Sequence, residues 1–87
     1  MAYTVILNAA ARKALAKLST KVRERILRAL IFLEKDPYHS ANIKKLEGLD
    51  NAYRLRVGDY RVLYEIQGER LVVLVIRIAH RREAYRR

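Results

Sequence analysis

Ala52-Tyr53-Arg54-Leu55-Arg56-Val57-Gly58-Asp59-Tyr60-Arg61-Val62-Leu63-Tyr64-Glu65-Ile66 is the stretch that decides the fold. Side chains of a strand point alternately to its two faces, so Tyr53, Leu55 and Val57 share one face, and Arg54 and Arg56 share the other. Gly58-Asp59 sits where a tight hairpin turn belongs. The return strand, Tyr60 to Ile66, then sends Val62, Tyr64 and Ile66 to the apolar side, and Arg61, Leu63 and Glu65 to the side of Arg54 and Arg56. A sheet that is apolar on one face and basic on the other needs a cover for the apolar face only.

Working outward, Gln67-Gly68-Glu69 predicts a second hairpin, leading into a strand from Arg70 to Ile78. Its apolar run is nearly continuous, which predicts burial on both faces in the middle of the sheet. In the other direction, Tyr38 to Asn51 reads as a polar connection with a turn at Gly48. Asp36-Pro37 ends a helix, because the residue before proline disfavours helical geometry. That helix runs from about Lys21 to Lys35, with Val22, Ile26, Leu30 and Leu33 at helical spacing and Lys21, Arg25, Arg28 and Lys35 largely on the other side. Ser19 or Thr20 can cap it. An alanine-rich helix from Ala9 to Leu18 precedes it, capped by Asn8, and Ala2 to Leu7 reads as an opening strand. The fold class is α+β, in the order β-α-α-β-β-β. An antiparallel helical hairpin packs on a mostly antiparallel four-stranded sheet, followed by a basic C-terminal tail. Residues 1–87 form one domain in this reading.

Nineteen lysines and arginines against nine acids leave a formal charge of +10, which attracts polyanions. The charge is uneven: Arg77 to Arg87 holds five arginines and His80 against one acid, Glu83. There is no cysteine, hence no disulfide and no thiolate chemistry. No paired-histidine metal spacing, Gly-rich phosphate loop or Ser/His/Asp pattern is present, so no metal or cofactor is expected. The N-terminus lacks the basic and apolar regions of a signal peptide, and the longest apolar run, Leu71 to Ile76, is too short to cross a bilayer. A cytoplasmic protein with no membrane role is the expectation.

Taken singly, the arginines of an exposed sheet face are ordinary solvated side chains. Together, Arg54, Arg56 and Arg61 form a cluster with Glu65 as the one nearby acid, which Arg77 joins if it faces with the odd-numbered residues of its strand, and like charges on neighbouring strands repel. Arg81 and Arg82 follow at the strand end, and Lys44 and Lys45 lie in the preceding connection. Guanidinium groups match phosphate oxygens in pairs, so this is a candidate phosphate-binding face. His80 lies beside it in sequence, while His39 reads as a surface residue. Tyr53, Tyr64 and Phe32 read as core or strand residues. Tyr85, in the basic tail, has no predicted core contact.

Three segments carry a family resemblance: Leu46-Glu47-Gly48-Leu49, the hairpin from Tyr53 to Ile66, and Val75 to Tyr85 with its His80-Arg81-Arg82-Glu83-Ala84-Tyr85 ending. In combination they resemble the RelE toxins of type II toxin–antitoxin systems, over essentially the whole chain. The resemblance implies a ribosome-dependent endoribonuclease that cuts mRNA in the ribosomal A site, against 16S rRNA, and halts translation. It also implies a cognate RelB-like antitoxin, with a heterotetramer as one form of the complex.

Carried over by position, Arg61, Arg81 and Tyr85 match the family's functional residues. Arg54 and Arg56 stand where the family pattern has lysines, and His80 replaces a basic residue. Arginine, with a pKa above ~12, stabilises a phosphorane but makes a poor base. Catalysis is therefore expected from Arg61, Arg81, His80 and Tyr85, with Arg54, Arg56, Arg77, Arg82, Lys44 and Lys45 binding RNA phosphates. His80 and Tyr85 are the candidates for moving protons, ahead of Glu47. The alternatives are a ParE-type gyrase inhibitor of the same fold, or a non-catalytic module that binds an antitoxin or nucleic acid. The set Arg61, Arg81, Tyr85 and His80 argues against the first.

Overall fold

The arginine-rich hairpin forms as its residues dictate. In the computed structural model, which describes residues 2–84, β3 (Ala52–Val57) and β4 (Tyr60–Gln67) pair antiparallel around Gly58, whose φ is +59°. Glycine occupies that left-handed region without steric cost. β5 (Val72–His80) pairs antiparallel with β4, and β1 (Thr4–Leu7) runs parallel to β5. A three-residue strand, β2 (Ile43–Lys45), pairs with the free edge of β3. The sheet therefore has five strands in the order β1-β5-β4-β3-β2, where the sequence predicted four. β2 sits inside the stretch read as a polar connection, because three residues carry no periodicity by which to recognise a strand.

Both helices cover one face. α1 (Ala9–Ala16) begins at Asn8, whose side-chain oxygen accepts from Ala11 N at 2.8 Å while its amide donates to Ile76 O at 3.2 Å. The cap thus also ties the helix to β5. α2 (Thr20–Lys35) is capped by Ser19, which accepts from Val22 N at 3.4 Å, and it ends at Asp36 in extended geometry. Ala11, Leu15, Ile26, Leu30 and Leu33 pack on Leu55, Val62, Tyr64, Ile66, Val73, Val75 and Ile78. Tyr64 is fully buried, and its hydroxyl donates to Pro37 O at 2.7 Å, which fastens the end of α2 to the sheet. Burial raises that phenol's pKa well above its ordinary value. Phe32, predicted as core, is 60% exposed, since it lies on α2 outside the Ile26–Leu30–Leu33 stripe.

The second hairpin differs from its prediction. Gly68–Arg70 forms a turn of 3₁₀ helix, and Leu71 takes a left-handed conformation before β5 starts at Val72. β5 is an inner strand flanked by β1 and β4, but it is buried on both faces only in part: Leu74 and Ile76 are half-exposed and Arg77 is exposed. Its register shifts between Leu63, opposite Arg77, and Tyr64, opposite Val75, leaving Ile76 as an extra residue. That bulge reverses the facing of everything after it. Val73 and Val75 point to the core before it, and Ile78 does so after it. α3 (Arg81–Ala84) closes the described chain. No helix among the described residues is long and apolar enough to cross a membrane.

Candidate nucleic-acid interface

Pairing register builds the face the helices leave open. One row across the sheet runs Lys44, Arg54, Leu63, Arg77, and the next runs Arg56, Arg61, Ala79. Lys44 stands directly opposite Arg54, and Arg56 directly opposite Arg61. Like charges in direct cross-strand positions destabilise a sheet, each pair by a few tenths of a kcal/mol to about 1. The third row, Ala52, Glu65, Leu74, supplies the one acid of these three rows. Arg77 joins this face because of the bulge; strict alternation from Val75 would have turned it toward the core.

A cavity of about 390 Å³ opens at the β2 side of the face, lined by Ala41, Asn42, Lys44, Arg54, Arg56 and Arg61. Arg61, expected on an exposed face, is only 9% exposed. Its Nη1 donates to Tyr60 O at 3.1 Å and to Gly58 O at 3.4 Å. Those carbonyls hold the guanidinium in one orientation, so part of its ordering cost is met before any ligand arrives.

Arg81 is anchored to the same turn from the other side. Its backbone N donates to Asp59 O at 2.6 Å, and its Nε stands 4.0 Å from Asp59 Oδ1. The side chain is 58% exposed. Arg25 also meets this turn: a Cβ built on Gly58 would lie 3.0 Å from Arg25 Nη2. Reading α2 by its apolar stripe put Arg25 on the solvated side. No sequence signal marks it, because the contact depends on where α2 lies over β3.

Two expected site residues fall elsewhere. Lys45 stands opposite Tyr53, in the row that continues to Tyr64 on the core face. His80 stands opposite Tyr60, itself opposite Val57, and so belongs to the helix-side face rather than to that of Arg61. Its ring meets the Tyr60 ring edge-on, with centroids 5.3 Å apart. Its Nδ1 accepts from Arg82 N at 3.3 Å, so the neutral ring carries its proton on Nε2. Arg82 is exposed one residue beyond Arg81. Tyr85 lies outside the described residues.

The sequence and the fold are shared with proteins of known type. The sequence model described as "ParE toxin of type II toxin-antitoxin system, parDE" matches residues 5–85. The chain is 35% identical over 83 residues to the mRNA interferase toxin RelE of Escherichia coli, covering 93% of this chain and 85% of that protein. This chain belongs to the RelE/ParE family of type II toxins. Toxin RelG of Mycobacterium tuberculosis is 33% identical over 88 residues, with full coverage of both chains. The crystal structure of the archaeal RelE–RelB complex from Pyrococcus horikoshii contains a chain that superposes with a TM-score of 0.83 at 32% identity, covering 93% of this chain and 97% of that one. In this RelE/ParE-family toxin, the sheet face opposite α1 and α2 carries Lys44, Arg54, Arg56, Arg61 and Arg77.

Proposed function

We propose that this toxin is a metal-independent endoribonuclease that cuts mRNA in the ribosomal A site and so inhibits translation. The observation carrying the reading is the pair of like-charged cross-strand positions, Arg56 opposite Arg61 and Lys44 opposite Arg54, on the face opposite α1 and α2. A polyanion laid there turns that repulsion into attraction.

In the proposed reaction the ribose 2′-oxygen attacks the adjacent phosphorus as it loses its proton. The phosphorane's charge is held by guanidinium groups, and the bond to the 5′-oxygen breaks as that oxygen takes up a proton. Arg61, fixed by the Gly58 and Tyr60 carbonyls, and the exposed Arg81 suit stabilisation of the phosphorane. Arg54, Arg56, Arg77 and Lys44 suit the flanking phosphates, with Arg82 beside Arg81. Proton transfer falls to His80 or Tyr85. His80 can act only once the Arg82 N–H contact opens, because Nδ1 is engaged and Nε2 carries the proton. Lack of a ready base within the arginine face favours dependence on the ribosome to complete the site.

The same face suits a RelB-like antitoxin: an acidic segment that orders on binding would cover the arginines, and pairing of two such complexes gives a heterotetramer. The toxin would act in the cytoplasm, where ribosomes are. Gyrase inhibition is the second reading, favoured by the match to the ParE sequence model.

The deciding assay adds purified protein to ribosomes with a defined messenger in the A site, and separately to that messenger alone, and maps the ends. Cutting with ribosomes only, with a loss of at least a hundredfold in Arg81→Ala, is expected. His80→Ala and Tyr85→Phe both retaining full rate would remove these two from proton transfer. No cutting in either mixture, together with inhibition of DNA supercoiling, would transfer the toxin to the gyrase class.

A further inference from the structure

A second basic surface lies on the opposite side of the sheet from the arginine face. β1 stops opposite Val75 and Asn8 donates to Ile76 O, so among the described residues no strand pairs with this edge of β5 from Arg77 onward. Between that edge and α1 lies a cleft of about 450 Å³, lined among others by Lys13, Lys17, Tyr60, Arg77 and His80. Among the described residues, every ionisable group lining it other than Tyr60 is basic. Lys13 of α1 and Lys17 at its C-cap are both exposed and one helical turn apart, a spacing at which like charges repel. Among the described residues neither ammonium has an ion-pair or hydrogen-bond partner. A lysine in the last turn of a helix complements the helix dipole, which accounts for Lys13 in part. It does not account for Arg77 and His80 arriving at the same cleft from a different element.

Arg77 links the two surfaces: it ends the Lys44–Arg54–Leu63–Arg77 row and also lines the cleft. We infer that this cleft is a second phosphate-binding site, in which Lys13 of α1 and Lys17 at its C-cap, with Arg77 and His80 of β5, hold the phosphodiester backbone of RNA beyond the segment on the arginine face. The site rests on the RNA-binding part of the proposed function and not on cleavage. Its ligand is a run of backbone phosphates, from the same strand that crosses the arginine face or from structural RNA of the ribosome. His80 is then chiefly a phosphate-binding residue, in keeping with its side of the sheet.

Neutralising Z phosphates of a single strand makes log K fall against log salt with a slope of about −0.7Z. The test uses the full chain with Lys13→Gln and Lys17→Gln together, and a charge-matched control, Lys21→Gln with Lys35→Gln, on α2. All four lysines are exposed, so folding is not at issue. Binding to a short unpaired oligoribonucleotide and to vacant ribosomes is titrated with salt. For the cleft variant the slope should fall by about 1.4, two contacts' worth, while the control keeps the wild-type slope. A fall on the oligonucleotide identifies the single strand as the source, and a fall on ribosomes alone identifies structural RNA. Equal slopes for wild type and cleft variant on both probes, or an equal fall in the control, would overturn the site. So would unchanged RNA slopes with weakened binding of poly-glutamate, which would make the cleft a seat for acidic protein. Wild type binding neither RNA probe would remove the RNA reading itself, a result distinct from all of these.

Discussion

Tyr64 shows how much one side chain can hold. Its ring is fully buried against the core, and its hydroxyl satisfies Pro37 O at 2.7 Å across 27 residues of sequence. Tyr64→Phe keeps the ring but leaves a buried carbonyl without its donor, which should cost about 1–3 kcal/mol in urea denaturation. The pH dependence has a definite sign. Burial raises the folded-state pKa above the phenol's ordinary value near 10, so above pH 10 the unfolded chain loses this proton while the folded chain keeps it. Stability from this group is therefore full below pH 10 and declines as the pH rises. The phenylalanine variant should be less stable at neutral pH and lose less on moving to alkaline pH. A wild-type and variant pair with parallel stability profiles above pH 10 would show that the phenol is not the titrating group.

Among elements, the β3–β4 turn organises the arginines. Gly58 O receives Arg61, Asp59 O receives the backbone of Arg81, and Arg25 from α2 lies against the Gly58 backbone. Gly58→Ala would put a side chain at φ +59°, which should cost about 1 kcal/mol, and its Cβ would displace the flexible end of Arg25. Cleavage by the folded variant should fall by more than its stability loss explains, because both arginine anchors move. Full activity after a 1 kcal/mol loss would show that the turn positions neither. The bulge at Ile76 is the other decisive local feature, since it delivers Arg77 to the open face and His80 to the helix side.

At the scale of the whole molecule, a charge of +10 on 87 residues acts before any contact forms. It should raise the rate of encounter with a polyanion, and that rate should fall steeply with added salt. Stopped-flow association with ribosomes between about 50 and 200 mM salt measures this, with a change of at least tenfold expected. A nearly flat profile would mean that contacts other than charge govern docking.

The sequence by itself determined the cap at Asn8, a cap at Ser19 or Thr20, the two helices, the Gly58-Asp59 hairpin and the side of β3 and β4 on which Arg54, Arg56 and Arg61 stand. Each of these depends on residues within a turn or a strand of one another, through capping hydrogen bonds, left-handed glycine geometry and the period of two. The family ending from His80 to Tyr85 was equally legible as a pattern. Only the tertiary structure decided that Ile43–Lys45 adds a fifth strand, that Lys45 and His80 face away from the arginines, that Arg61 is buried, and that Arg25 reaches Gly58. Those outcomes turn on pairing partners and on a one-residue register shift. Such a shift is set by the neighbouring strand and by the helices packed above it, which act from far along the chain, and no local pattern within β5 encodes it.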